Sequence, residues 1–236
     1  MLLEYLHQPV VSLSTKQVAG VELLARFNGK ATPAETLSHD VNEWLALDIG
    51  GLTHIQDNDI LSKHHCMAFV NLSRHVARYQ WATDAFLYAC RQAMEQSSVD
   101  IVVDISDEIN INDEDIVSLA GRIRRMGIRC AMDDHKGLPG CHRRARLDCW
   151  DIIKVSVLDR LIDAVCRDVR SLAALCVPVV ATSIENAHTM REVEASGASY
   201  AQGWHTGVPV PTWISKSARK QVVDEPAENL AAQGGG

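Results

Sequence analysis

The sequence predicts an α/β protein, a TIM-like (β/α)8 barrel with an antiparallel first strand pair. Three observations predict it. About eight short apolar runs alternate with stretches of helical periodicity along 236 residues, the pattern of one strand-and-helix domain. The first two runs, Gln8–Leu13 and Ala19–Phe27, are separated by little more than Ser14-Thr-Lys-Gln17. A parallel pair needs a crossover of about a dozen residues, so these two, if paired, run antiparallel. Later runs end in polar residues, and in α/β folds the loops at the carboxyl ends of strands carry the chemistry. A doubly wound open sheet is the alternative, and it fits less well because no glycine-rich phosphate turn is present.

The elements follow in order. On the second strand Glu22, Leu24 and Arg26 share a face, because side chains alternate. That acid and base form either an internal ion pair or a site for a cation and an anion. Thr32-Pro-Ala-Glu35 opens a helix by cap chemistry. The helical region is expected to run to about Ser62, with a break near Asp48-Ile-Gly-Gly51. Met67–Leu72 is a strand carrying Asn71, residues 80–95 a helix with Phe86, Leu87, Cys90, Ala93 and Met94 at core spacing, and Asp100–Ile105 a strand with Asp104, Asp107 and Glu108 at its exit. The next helix is capped by Asn112, has acids in its first turn and arginines in its last, and stops at Gly127.

Ile128-Arg-Cys-Ala-Met-Asp-Asp-His135 is then a buried strand ending in two carboxylates, Asp133 and Asp134. One could cap the following helix and the other be solvated. The recurrence of polar strand ends elsewhere favours a cation site. Asp151–Val155 is a strand with Lys154 embedded in it, 157–175 is helical, and Val177–Ala181 is a strand ending at Thr182 and Ser183. A helix opens at Glu185, Ser199–Gly203 is a short strand bearing Gln202, and a terminal helix covers about 211–221. The domain spans 1–222, and 223–236 reads as a flexible tail.

Composition bounds the function. Hydrophobic content of 47% and charged content of 22% are those of an ordinary soluble domain. A formal charge of −7 argues against direct nucleic-acid binding but permits a local basic site. Seven cysteines without metal-type spacing read as reduced and packed. No signal peptide and no membrane-length apolar run is present, so the expected location is cytoplasmic. His64-His65 reads as a surface pair and His142–Arg146 as a solvated basic face.

Strand by strand, the polar residues are Glu22, Asn71, Asp104, Asp133 with Asp134, Lys154 and Gln202. In a barrel they converge on one mouth. Mg²⁺ takes an oxygen cage of carboxylates, amides and water, which Glu, Asn and Asp supply. A lysine beside metal-bound water can orient it or neutralise charge on a phosphoryl group.

At this point the chain resembles the EAL domain family, phosphodiesterases that linearise bacterial cyclic di-GMP. Gly20-Val-Glu-Leu-Leu-Ala-Arg-Phe27 resembles the naming motif, with Leu23 where alanine is usual. Val70-Asn-Leu-Ser73, Met132-Asp-Asp-His135, Ile153-Lys154 and Tyr200-Ala-Gln-Gly203 are similar to the asparagine, Asp-Asp, lysine and glutamine motifs. Asp104 and Asp107 stand where the family has two glutamates. The resemblance implies Mg or Mn held by Glu22, Asn71, Asp104 and Asp133, with Asp134 aiding a second ion. It also implies a ligand phosphate met by Arg26, an attacking water assisted by Lys154, and Gln202 supporting the site.

Departures from the family pattern qualify the activity. Thr182 replaces a glutamate placed to bind the second metal or take a proton, and a threonine hydroxyl is a weak neutral ligand and no base at neutral pH. The loop after the aspartates, His135-Lys-Gly-Leu-Pro-Gly-Cys141, is rewritten relative to the family loop that couples dimerisation to metal binding, and Ser156 stands where an aspartate usually follows the lysine. Aspartate at 104 withdraws its carboxylate by about 1.5 Å, and a misplacement of about 1 Å can cost on the order of a hundredfold in rate. Loss of a general base costs a further 10²–10⁴-fold or so.

The expectation is therefore a degenerate EAL domain, binding cyclic di-GMP or a protein partner and possessing little turnover, with a homodimer weakened by the altered loop. The alternative is a working metal-dependent phosphodiesterase in which Glu185 or Asp134 takes the missing role. A barrel aldolase using Lys154 as a Schiff base is a third reading, disfavoured by the surrounding acids.

Overall fold

The computed structural model describes residues 2–57, 66–106, 109 and 111–211. The expected His64-His65 surface pair, Asp107 and Glu108, the terminal helix beyond Pro211 and the tail lie outside these residues. Eight strands form one closed barrel in sequence order: β1 Leu3–Ser12, β2 Val18–Phe27, β3 Met67–Asn71, β4 Asp100–Ser106, β5 Arg129–His135, β6 Ile152–Ser156, β7 Val179–Thr182 and β8 Tyr200–Gln202. β1 is antiparallel to both neighbours, β2 and β8, and every other pair is parallel. The expected barrel with its antiparallel first pair is thus the observed one.

The helices are α1 Pro33–Thr36, α2 Val41–Gln56, α3 Arg74–Ala77, α4 Gln80–Ser97, α5 Asp113–Arg125, α6 Pro139–Ala145, α7 Ile162–Ala173 and α8 Ala187–Ala195. Their starts follow local chemistry. Asp40, Ser73, Asn112 and Asn186 each accept a backbone N–H of the first turn they cap. The helix expected from Glu185 begins instead after Asn186, the residue whose side chain supplies the cap.

One break is misplaced by sequence reasoning. The chain turns at 37–40, and α2 runs unbroken through Gly50 and Gly51. The two glycines serve packing, since a β-carbon at Gly50 would collide with the Tyr5 hydroxyl, which donates to the Leu47 carbonyl at 2.7 Å. Close packing against Tyr5 accounts for glycine at this position despite its intrinsic cost in a helix, about 1 kcal/mol per residue.

Two apolar layers hold the barrel. Val10, Phe69, Val102, Ala131, Ile152 and Val180 fill its interior. A larger cluster lies between the outer strand faces and the helices, and takes in Phe86, Leu87, Cys90 and Ala93 of α4 and Ile116, Leu119, Ala120 and Ile123 of α5. Six of the seven cysteines are buried, Cys176 is exposed, and none is bridged. Burial pushes the Cys90, Cys130 and Cys149 thiols up, which leaves them unreactive as thiolates. Among the described residues no helix is long and apolar enough to cross a membrane.

Beneath α2 the His7 and His54 Nε2 atoms are 3.0 Å apart, and His7 is wholly buried. Burial, with the His54 charge, lowers His7 from 6.5 to about 4, and burial lowers His54 as well. Both rings are therefore neutral in the fold, and the stability this represents is present above pH 6.5 and lost as pH falls towards 4. His7→Phe is expected to flatten the acid limb of thermal melting across that window, and an unchanged limb would rule out this pair as its source.

Candidate active site

The site is a polar layer stacked on the apolar interior. Strand residues two apart share a face, so each interior apolar residue has a polar one above it at the carboxyl end: Phe69 below Asn71, Val102 below Asp104, Ala131 below Asp133, Ile152 below Lys154, and Val180 below Thr182. On β2 the interior position is Gly20, where a β-carbon would press on the Met67 carbonyl and the Phe69 ring, and Glu22 lies above it. The structure so brings together most residues that the sequence singled out.

Lys154 is the centre. It is 1% exposed, and its Nζ lies 2.8 Å from Glu22 Oε2, 2.7 Å from Asp104 Oδ2 and 3.2 Å from Asp133 Oδ1. Gln202 Nε2 donates to the same Glu22 oxygen at 2.7 Å and to Gln8 Oε1 at 3.2 Å. Gln8 was missed in the sequence. The signal for it was the same two-residue spacing, read backwards from Val10 because β1 runs the opposite way.

Charge is unevenly balanced. Burial pulls the Lys154 ammonium pKa down, but Asp104, Asp133 and Glu22 outweigh it and hold the group charged, well above its ordinary value. Burial pushes Glu22 up, yet the Lys154 charge and hydrogen bonds from Lys154, Gln202 and Asn71 together hold it below the usual carboxylate range. For Asp104 burial wins: Lys154 only partly offsets it, Asp133 and Glu22 add repulsion, and the carboxyl is held well above its ordinary value. Asp133 is raised too, by burial first and then by Glu22 and Asp134 against the opposing Lys154. One ammonium is shared by more carboxyl groups than it can neutralise.

The remaining predicted residues fall into two cavities at the mouth. Asp134, Thr182 and Glu185 line one of about 370 Å³, together with Glu22, Asp133, Lys154 and Gln202. A register shift between Met132 and His135 and the left-handed backbone of Asp134 (φ 63°) turn its carboxylate aside, 3.0 Å from Lys136 Nζ. Thr182 Oγ1 donates to the Val155 carbonyl at 3.3 Å. Arg26 and Asn71 line the second cavity, about 570 Å³ between the ends of β2 and β3 and the helices α1 and α2, and Asp104 reaches it as well. Arg26 Nη1 donates to the Ala25 carbonyl at 2.8 Å, and the Trp44 and His75 rings stack at 4.7 Å on its wall.

Two features of these donors bear on a divalent cation. Among the described residues no group of three His, Cys, Asp or Glu stands ready as a cage, because the Lys154 ammonium sits where the acids converge. The chemistry of the set does fit. Asp104 Oδ1 is buried with no hydrogen-bond partner, and Glu22, Asn71, Asp104 and Asp133 offer the hard oxygens that Mg²⁺ and Mn²⁺ take.

On the wall of the larger cavity Asp48 accepts from the Ser73 backbone N–H at 3.0 Å. Burial pushes its carboxyl from 3.8 up to about 7, against the lowering from Ser73. A raised acid costs stability as pH climbs from about 4 to about 7, by up to roughly 4 kcal/mol for such a shift. Asp48→Asn keeps the acceptor and is expected to raise the melting temperature at pH 8 but not at pH 4. Equal gains at both pH values would contradict a titrating Asp48.

Residues 2–209 match the family model described as the EAL domain. The chain belongs to the EAL domain family. The Bacillus subtilis YkuI protein with an EAL domain, solved with c-di-GMP and calcium, is similar to it with a TM-score of 0.76 at 17% identity, covering 93% of this chain and 60% of its own. The FimX EAL domain of Pseudomonas aeruginosa bound to c-di-GMP gives a TM-score of 0.70 at 19% identity, covering 89% of this chain and 91% of its own. Klebsiella pneumoniae BlrP1, in a manganese/c-di-GMP complex, gives 0.68 at 18% identity, covering 88% of this chain and 56% of its own. The chain thus spans about 60% of the length of YkuI. No curated protein sequence matches it significantly. At these identities the likeness shows a shared fold.

Proposed function

We propose that this EAL domain is a regulatory member that binds cyclic di-GMP at the barrel mouth and turns it over poorly or not at all. The observation that carries the reading is Thr182. It occupies the end of β7 on the wall of the same cavity as Asp133, Asp134 and Lys154, and its hydroxyl is given to the Val155 carbonyl. A hydroxyl so placed takes no proton from a water at neutral pH. The dinucleotide found with YkuI, FimX and BlrP1 supports the ligand class.

In this reading Arg26 meets a ligand phosphate from the larger cavity, and Gln202 braces Glu22. Glu22, Asn71, Asp104 and Asp133 would hold a first Mg²⁺ or Mn²⁺ and Asp134 would assist a second, and such ions would supply phosphate charge neutralisation and an acidified water. Lys154, held cationic by its three acids, stabilises negative charge at the phosphoryl group. A protein partner docking on the ligand-bound mouth would carry the signal onward.

One observation favours a second reading, an active Mg/Mn-dependent phosphodiesterase that yields the linear dinucleotide. Glu185 stands three residues beyond Thr182 and lines the same cavity, within the region where a general base is wanted. Calorimetric titration with cyclic di-GMP in Mn²⁺, and again in EDTA, tests the ligand. Binding in either condition is the expected result, and no heat in both would overturn the nucleotide-binding reading.

A further inference from the structure

The polar layer contains a member from every strand, and β1 contributes its member from the opposite direction. Val10 is an interior residue of β1, and the residue two positions earlier, Gln8, stands at the level of Glu22, its direct partner in the β1–β2 register. Val10 is in turn the register partner of Gln202 on β8. Gln8 therefore sits between the glutamate of β2 and the glutamine of β8.

Its bonds form a strut. Gln8 Nε2 donates to the Gly207 carbonyl at 3.3 Å, and Gln8 Oε1 accepts from Gln202 Nε2. The turn that holds Gly207 is itself fixed, with Gly207 N–H donating to the Gly203 carbonyl at 3.0 Å and the Gly203 backbone packed so closely on Ile184 that no β-carbon fits. Gln202 carries two N–H donors on one nitrogen. Glu22 takes one, Gln8 the other, and Gln202 Oε1 is left as a buried acceptor with no partner. A carboxylate facing Nε2 dictates the polarity of the amide, and the second acceptor locks its rotation.

The geometry points to Gln8 as a positioning residue, which sets the orientation of the Gln202 amide and through it the Glu22 carboxylate, leaving Gln202 Oε1 as an acceptor for a ligand N–H or a bound water. This role rests on the reading that Glu22 and Gln202 belong to a working binding site. Residues that orient first ligands typically govern affinity by about 10–100-fold.

The test uses the full chain and two variants, Gln8→Met, which keeps the shape and removes the amide, and Gln8→Glu, which keeps an acceptor for Gln202. Hydrogen exchange of the Gln202 side-chain amide is followed by NMR, and Mn²⁺ affinity is measured in parallel. Gln8→Met is expected to accelerate exchange of one Gln202 amide proton by about tenfold or more and to weaken Mn²⁺ by about tenfold, while Gln8→Glu retains the protection. Unchanged Gln202 exchange in Gln8→Met overturns the role, even if the melting temperature falls, since that outcome marks Gln8 as merely structural. If the wild type binds no Mn²⁺, the metal reading of the site falls, and the Gln202 exchange alone still decides the role of Gln8.

Discussion

Lys154→Met is expected to destabilise the protein by roughly 3–5 kcal/mol at neutral pH, the cost of leaving a buried ionic partner uncompensated. The lysine is 1% exposed and reaches Glu22, Asp104 and Asp133 at once. Methionine keeps an unbranched apolar chain one atom shorter and loses all three contacts. The direction with pH separates this effect from simple packing. Asp104 and Asp133 already sit above their ordinary values, and without the ammonium they rise further. The variant should therefore recover stability as pH falls and these carboxyls take up protons. Urea denaturation at pH 7 and pH 5 reads both parts. A loss below about 1 kcal/mol, typical of an exposed pair, would mean that the acids find other partners or water.

Thr182→Glu is expected to raise hydrolysis of cyclic di-GMP by about 10²-fold or more, the usual contribution of a placed general base. The cavity of about 370 Å³ beside Thr182 has room for the longer side chain, and the substitution gives up one hydrogen bond to Val155, worth about 1 kcal/mol. The gain should appear in kcat more than in KM, because Arg26 and Gln202, the proposed binding residues, are untouched. A variant that binds the dinucleotide but stays inactive would place the limit elsewhere, with the Lys136–Asp134 pair and the shortened Asp104 next in line.

Most of the fold was legible because its signals are local. Apolar runs of strand length, capped helices such as the one after Asn112 and the short link between the first two strands specify a barrel with an antiparallel start. Misreadings came where tertiary contacts overrode local preference. Gly50 and Gly51 suggest a helix break, but they make room for Tyr5 and the helix continues. Residues 157–175 look helical throughout, whereas α7 is confined to Ile162–Ala173 because Arg160 turns back to the Ser156 carbonyl at 3.0 Å and to Asp168.

The candidate site was legible as a set of strand-end residues and illegible as a network. Alternation places Glu22, Asp104, Asp133, Lys154 and Gln202 on one level, but no sequence rule states that one ammonium serves three of those carboxyls. Gln8 escaped notice for a geometric reason, since its strand runs against the others and the polar residue lies on the amino-terminal side of the interior Val10. The separation of Arg26 and Asn71 from Thr182 and Glu185 into two cavities also depends on α1 and α2, whose packing is read only in three dimensions.

The central claim is that the site binds cyclic di-GMP and processes it poorly or not at all, and the most direct test is the fate of the ligand once bound. Purified protein in excess over the dinucleotide, with Mn²⁺ present, is incubated and the nucleotides are separated by chromatography. Recovery of intact cyclic di-GMP from a complex that calorimetry shows to form is the predicted result. Conversion of the bound ligand to the linear dinucleotide would contradict the account and identify Glu185, or another retained acid, as the group that replaces the glutamate missing at Thr182.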